Sequence, residues 1–179
     1  MKKNIVLASM FASLYAVLVI ALALISFLPF QVRFADALIP LSILFGWPSI
    51  IGLTIGCAVS NFVAGQVFFV GWTFIDVIGG SLANFVSCYV GWKICIKHTS
   101  KFFLTSTLIQ SIIVSIIVGT YLWFIFGSPE RYDIYSFVLP GLPAFWLSIF
   151  IGSFIAIVLL GNLLLTAILK SKLYPIEKR

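Results

Sequence analysis

Apolar segments long enough to cross a lipid bilayer recur along this 179-residue chain, and they restrict its possible folds more than any other feature. An α-helix rises about 1.5 Å per residue, so about 20 apolar residues cross a hydrocarbon core of about 30 Å. Hydrophobic residues make up 62% of the sequence and charged residues only 9%, whereas roughly a quarter of the residues in soluble domains are charged. The sequence therefore predicts an all-α, polytopic membrane protein.

Six apolar segments are predicted to be transmembrane helices, and the second is too short to cross the bilayer by itself. They cover residues 5–28, 35–46, 48–65, 73–96, 102–126 and 144–170, with a polar connection at 127–143. The first segment resembles a signal peptide, but it is longer than a signal core of about 7–15 residues and no small-residue cleavage site follows it. No segment is polar enough for a second domain, so residues 1–179 are predicted to form one transmembrane domain.

The positions of lysine and arginine predict the orientation, because short cytoplasmic loops are rich in these residues. One side of the membrane would hold both termini and most of the positive charge: Lys2, Lys3, Lys93, Lys97, Lys101, Lys170, Lys172, Lys178 and Arg179. Only Arg33 and Arg131 fall on the other side. Both termini are therefore predicted to be cytoplasmic in a multi-pass protein of the cell membrane. The net charge of +6 then suits lipid headgroups and not nucleic acid.

Polar side chains collect on or near the predicted outer face. They are Arg33, Asp36, Asn61, Gln66, Trp72, Asp76, Glu130, Arg131 and Asp133. A charge that faces lipid costs several kcal/mol, so such residues usually pair or face a polar cavity. The predicted cytoplasmic halves of the helices hold almost no ionisable groups, and no polar path at several depths is evident. This distribution predicts a binding pocket that opens on one side, not a proton or ion pathway.

The fourth segment carries the clearest candidate site. Asp76, Gly80 and Asn84 follow at i, i+4 and i+8 and so share a helix face, which Ser87 and Gly91 continue. A carboxylate one turn from a glycine offers two acceptor oxygens beside space for a flat ligand. The alternative is that Asp76 caps the start of its helix, where an anion is stabilised by unpaired N–H groups.

Three other candidates lie on or near the predicted outer face, and two of them also have structural alternatives. Arg33 and Asp36 lie three residues apart, and they either contact a ligand or form a structural ion pair. Asn61 is a candidate binding residue at the predicted outer end of the third segment. Trp72 either stacks on a ligand or belongs to the aromatic belt at the membrane interface.

No catalytic or metal-binding pattern is evident. The sequence has no Ser/His/Asp set, no H-E-x-x-H motif and no P-loop, so neither an enzyme nor a cofactor or metal site is predicted. Cys57, Cys88 and Cys95 lie in apolar segments without C-x-x-C spacing, which indicates small buried side chains. His98 lies among lysines at a helix end and is predicted to be solvated.

Small residues recur at helical spacing on two segments, where they allow close helix contact in lipid. One stripe on the third segment consists of Gly52, Gly56, Ser60 and Ala64, and it is predicted to pack inside the protein. Ala8, Ala12 and Ala16 line the first segment near the cytoplasmic side. This stripe packs internally or binds another protein.

Several motifs resemble the QueT family of substrate-binding S components of energy-coupling factor (ECF) transporters. The run FQVRFADAL at 30–38 follows a first helix that begins LASMFASLYAVL. A G-x-x-x-x-N stretch matches residues 56–61, and a D-x-x-x-G-S/T-L-A stretch matches residues 76–83. The resemblance covers residues 5–95, and the last third of the chain matches in topology. Aspartate at 36 and the long 127–143 connection depart from the family pattern.

The resemblance implies six helices with a short second one and a single substrate-binding domain. It also implies that Ala8 and Ala12 dock onto the coupling membrane protein of an ECF module, which also has two ATPase subunits. The implied cargo is a 7-deazaguanine queuosine precursor, whose adjacent N–H groups would donate to Asp76 or Asp36. Ring stacking would come from one of four aromatic side chains, Phe68, Phe69, Trp72 or Trp146.

Three alternatives remain open from the sequence. An S component of this fold can take another cargo, such as biotin, thiamine or riboflavin, because function depends on the pocket and not on the fold. A stand-alone secondary transporter would work without an ATPase, although the scarcity of charge in mid-membrane argues against it. A structural or assembly protein of the membrane would lack a ligand-sized outer pocket.

Overall fold

The computed structural model describes residues 2–26, 32–95, 102–134 and 137–171. Its elements in chain order are α1 (Lys2–Ala21, continued by a helical turn at Ala23–Ser26), α2 (Phe34–Phe45), α3 (Trp47–Phe68), α4 (Thr73–Cys95), α5 (Phe103–Ile125), β1 (Arg131–Ile134), β2 (Phe137–Pro140) and α6 (Gly141–Lys170). The predicted six-helix membrane fold is confirmed. Five of these helices are long and apolar enough to span a membrane, and α2 is shorter.

The connection between α5 and α6 contains a small antiparallel hairpin that the sequence analysis did not predict. Strand β1 pairs with β2, with Arg131 opposite Pro140. The Trp123 indole donates to the Pro129 carbonyl oxygen at 3.0 Å, and the Gly141 N–H donates to the Glu130 carbonyl oxygen at 2.9 Å. These bonds tie the hairpin to the ends of α5 and α6. We call this end of the bundle the outer end, following the predicted orientation.

Two tight turns set the ends of α3. Gly46 has a φ of +60° and precedes Trp47 and Pro48 in the first helical turn, where proline's missing N–H is tolerated. At the outer end, the Thr73 hydroxyl donates to the Gly65 carbonyl oxygen at 3.0 Å and joins α4 to α3.

The five long helices form a sequence of neighbours, α1–α3–α4–α5–α6, around the short helix α2. Helix α2 is a 3-10 helix over Phe34–Leu41 and an α-helix over Ser42–Phe45. Residues 35–41 are all buried, and α2 contacts all five long helices. A 3-10 helix rises about 2 Å per residue, so this short segment extends far into the bundle.

The burial of α2 places its charges inside the protein and not at a surface loop. Arg33 and Asp36 were predicted on or near the outer face, beside a loop. Both are buried, and Asp36 contacts Tyr15 near the middle of α1. The reason is that α2 packs in the centre of the bundle, so the residues at its start lie inside the protein.

Small residues allow the closest helix contacts. A Cβ added at Gly52 would overlap the Ala8 carbonyl oxygen, and one at Gly56 would lie 2.6 Å from the Ala12 carbonyl oxygen. The glycines of α3 therefore pack against α1, as the sequence predicted for this stripe. Helix α6 approaches α2 in the same way, because a Cβ at Gly161 would lie 2.6 Å from Pro40 Cγ. Just before Gly161, α6 contains a π-helical segment, Phe154–Leu160.

Candidate functional site

Three charged side chains meet inside the outer half of the bundle. The exposed fraction is 8% for Arg33, 5% for Asp36 and 1% for Asp76. Among the residues whose side chains the structure describes, buried formal charges are limited to these three. A buried charge is tolerated only when it is paired and hydrogen-bonded, so the partners of each group define the site.

Tyr15 of α1 binds Asp36. The Tyr15 hydroxyl donates to Asp36 Oδ1 at 2.6 Å, and both side chains are buried. Hydrogen bonds of a hydroxyl to a carboxylate are short and about twice as strong as neutral ones. Tyr15 was not among the site residues predicted from the sequence. It lies four residues after Phe11 and four before Val19, on the buried face of α1. This spacing indicates an inward-facing residue.

Tyr121 of α5 binds Asp76 in the same way as Tyr15 binds Asp36. The Tyr121 hydroxyl donates to Asp76 Oδ1 at 2.8 Å. A Cβ added at Gly79 would overlap the Tyr121 ring, so the absence of a side chain at Gly79 gives the tyrosine room to reach α4. Asp76 lies in the first turn of α4, yet its carboxylate contacts α5 and makes no capping bond to its own helix.

Asn61 of α3 completes the environment of Asp76. Its side-chain Nδ2 donates to the main-chain oxygen of Asp76 at 3.1 Å. A Cβ at Gly80 would overlap this amide, so Asn61 occupies the space that the sequence analysis assigned to a flat ligand. Within the described part of the chain, the buried atoms Asp76 Oδ2 and Asn61 Oδ1 have no hydrogen-bond partner. The two unpaired acceptors therefore belong to residues that contact each other.

Arg33 connects the two acidic residues. Its guanidinium lies close enough to Asp36 and Asp76 for its charge to interact favourably with both carboxylates. Its Nη1 also donates to the Cys57 sulfur of α3 at 3.8 Å. The sequence predicted a role for Arg33 with Asp36 but did not predict that Arg33 would also act on Asp76.

A small cavity lies beside Arg33 and Asp36. Its other lining residues are Asn84, Val114, Val118, Ile149 and Ser153, which come from α4, α5 and α6. Asn84 is held by a hydrogen bond from Nδ2 to the Leu53 carbonyl oxygen at 3.3 Å. The volume is about 10 Å³, room for about one water molecule. A ligand the size of a nucleobase can bind here only after side chains or helices move.

Aromatic rings pack against one another at the outer end of the bundle. The Phe69 and Phe126 rings lie edge to face with centroids 6.3 Å apart, and Phe145 lies 5.7 Å from Phe126. Trp72 is 41% exposed and contacts Phe124 at the surface, a position that suits the interfacial belt. The Trp146 indole donates to the Thr120 hydroxyl. Of the four aromatic residues proposed for stacking, Phe69 alone is buried.

Neutral polar side chains are buried in the half of the bundle predicted to be cytoplasmic. Gln110 donates through Nε2 to the Ser42 hydroxyl at 3.2 Å, and Asn162 donates to the Thr107 hydroxyl at 2.9 Å. No polar path at several depths was evident from the sequence, but neutral polar groups do lie in this half of the bundle. They were missed because only ionisable residues were considered.

The match to a known protein family agrees with this architecture. Residues 5–170 match the family model described as QueT transporter. No curated protein and no solved structure was found to match the chain. Because the family match covers nearly the whole sequence and the helices are those of a multi-pass membrane protein, this chain belongs to the QueT transporter family.

Proposed function

We propose that the chain is the substrate-binding S component of an ECF transporter and that it takes up a 7-deazaguanine queuosine precursor. The ligand enters from the outer end and binds between α2, α3, α4 and α5. A coupling membrane protein and two ATPase subunits supply the energy for transport. The family membership supports the transport role, and the position of the buried polar cluster in the outer half supports binding from outside.

The proposed ligand class rests on two buried acceptors without a hydrogen-bond partner, Asp76 Oδ2 and Asn61 Oδ1. An unsatisfied buried polar atom costs about 1–3 kcal/mol, so a ligand that donates two hydrogen bonds relieves this penalty. The guanine-type edge has two adjacent donors, the ring N–H and the exocyclic amine. The unpaired carboxylate oxygen of Asp76 and the amide oxygen of Asn61 each accept a hydrogen bond without donating one.

The second candidate function is a stand-alone secondary transporter. The buried neutral groups around Gln110 and Asn162 favour it, because a transporter that works alone needs polar groups along the whole route. Their neutrality argues against proton coupling in that half of the bundle.

Calorimetric titration of the purified protein tests the ligand class. A 7-deazaguanine should bind, and 7-deazahypoxanthine, which differs only by the missing exocyclic amine, should bind at least tenfold more weakly. Biotin, thiamine and riboflavin serve as the alternative cargoes. Equal affinity for the two bases would contradict the role of the donor edge, and binding of a vitamin alone would replace the proposed cargo.

A further inference from the structure

Gln110 of α5 lies where α2, α4 and α5 meet, in the half of the bundle predicted to be cytoplasmic. Its side chain is fully buried, and its Nε2 group donates to the hydroxyl of Ser42 in α2 at 3.2 Å. A Cβ added at Gly91 of α4 would overlap the Gln110 amide, so the glycine leaves the room that the amide occupies. The Ser106 hydroxyl donates to the Gly91 carbonyl oxygen at 3.0 Å and joins α5 to α4 at the same level.

Stability alone does not account for a glutamine at this position. Within the described part of the chain, the buried Gln110 Oε1 has no hydrogen-bond partner. An unsatisfied buried acceptor carries an energetic penalty, whereas an apolar side chain of similar size would have no such acceptor. The amide is also remote from the charged cluster, because Ser42 follows Asp36 by about 12 Å along a helix that is mostly 3-10. What the glutamine provides here is its bond to Ser42.

Hydrogen bonds hold α2 at both of its ends. In its first turn, Asp36 accepts from Tyr15 at 2.6 Å, and toward its inner end Ser42 accepts from Gln110. The apolar contacts along the rest of α2 are non-directional, so they restrict its position along its own axis less than these bonds do. Without the bond to Ser42, α2 is free to shift along its axis, and Arg33 at its start shifts with it.

On this basis, and resting on the proposed function, we infer that Gln110 is a positioning residue for the ligand site. Through Ser42 it holds α2 at the depth where the Arg33 guanidinium acts on both Asp36 and Asp76. Gln110 does not touch the ligand in this arrangement. Its effect on ligand affinity is transmitted by the position of α2 alone.

Two buried cysteines report the position of α2 without a ligand. The Arg33 guanidinium donates to the sulfur of Cys57 at 3.8 Å, and the Cys88 thiol donates to the Ile39 carbonyl oxygen of α2 at 3.9 Å. We call Cys57 and Cys88 the reporter cysteines. A shift of α2 should make both more accessible to a thiol reagent. Cys95, whose thiol bonds to a main-chain oxygen outside α2, is the internal reference.

The test combines Gln110→Leu with Ser42→Ala. This double variant removes both partners of the bond, so its thermal unfolding temperature should stay close to that of the wild type. Calorimetric titration with 7-deazaguanine should show at least tenfold weaker binding. Mass spectrometry after treatment with N-ethylmaleimide should show the reporter cysteines labelled at least threefold faster relative to Cys95.

Ser111→Ala is the matched control. Ser111 is the next residue of α5, and its buried hydroxyl has no hydrogen-bond partner among the described residues. The control should match the wild type in affinity and labelling. If the double variant does not fold, Ser42→Ala alone removes the acceptor with a smaller change in volume and should give the same changes in affinity and labelling.

Wild-type labelling of the reporter cysteines in the double variant would overturn the inference, because α2 would then not have moved. Unchanged affinity for 7-deazaguanine would overturn it as well. A lower unfolding temperature with equally faster labelling of all three cysteines would show a purely structural role and would also contradict it. If the intact protein does not bind 7-deazaguanine, the proposed cargo is wrong, and the labelling still decides whether Gln110 positions α2.

Discussion

Each buried carboxylate of the bundle is bound by a tyrosine from a neighbouring long helix. Tyr15 reaches Asp36 from α1, and Tyr121 reaches Asp76 from α5. Tyrosine hydroxyls stabilise an anion without adding a charge, so the negative charge stays available to a ligand. A lysine or arginine at either tyrosine position would neutralise the acid instead.

The first prediction concerns Asp76. Changing Asp76→Asn should weaken binding of a 7-deazaguanine at least tenfold, about 1.4 kcal/mol, because a charge-assisted hydrogen bond contributes roughly 1.5–3 kcal/mol. Asparagine can still accept from Tyr121, so the variant should stay folded. Titration calorimetry measures the affinity, and Ile78→Val at an exposed position of the same helix is the control. Unchanged affinity in the variant would assign Asp76 a structural role.

The second prediction concerns Tyr15. Changing Tyr15→Phe removes the 2.6 Å hydrogen bond to Asp36 and should lower the free energy of unfolding by about 1.5–3 kcal/mol. Denaturant titration in detergent measures this change. Tyr89→Phe is the matched control, because the Tyr89 ring stacks on Phe85 away from the cluster. Equal, small effects of the two changes would show that the Asp36 contact contributes little to stability.

Particular residues show how far the sequence determines the site. Arg33, Asp36, Asn61 and Asp76 were identifiable because polar groups are rare in an apolar chain and need a function or a partner. Tyr15 and Tyr121 were not identifiable in this way, because tyrosine is also common at membrane interfaces. Which helices bring these groups together depends on tertiary packing, which local sequence does not specify.

At the scale of elements, the position of α2 determines the site. The sequence predicted its existence and its short length from the apolar segment at 35–46. It did not predict that α2 lies in the centre, because the helices that surround a segment are determined by tertiary contacts and not by the local sequence. Its burial brings Arg33 and Asp36 to the depth of Cys57 and Tyr15.

The third prediction concerns the contact between α1 and α3. A Cβ at Gly56 would lie 2.6 Å from the Ala12 carbonyl oxygen and 2.9 Å from Tyr15 Cβ. Gly56→Ala should therefore push α1 outward, lower stability by about 1–3 kcal/mol and weaken ligand binding by displacing Tyr15. Thermal unfolding and calorimetry measure the two effects. Val59→Ile on the exposed face of α3 is the control, and wild-type behaviour of Gly56→Ala would refute the close contact.

At the scale of the whole molecule, the polar site and the inner end present different surfaces. An open apolar groove of about 440 Å³ lies between α1 and α3 at the predicted cytoplasmic end. Ala8 and Ala12 line it, together with Trp47, Ile51 and Ile55, which are all exposed. The main-chain oxygens of the two alanines contact the glycines of α3. The alanine stripe thus packs internally and also borders a surface groove.

The last prediction separates binding from transport. Ala8→Trp should fill the groove and hold a docked helix away, because close helix contact in a membrane requires small residues. Ligand affinity should change less than threefold, since Ala8 lies about two helical turns from Tyr15. Uptake by cells and co-purification with an ATP-hydrolysing module should both be lost. Val17→Trp, at an exposed position on another face of α1, is the control and should preserve both. Uptake by the purified subunit alone in liposomes, without any ATPase, would instead establish the secondary-transporter alternative.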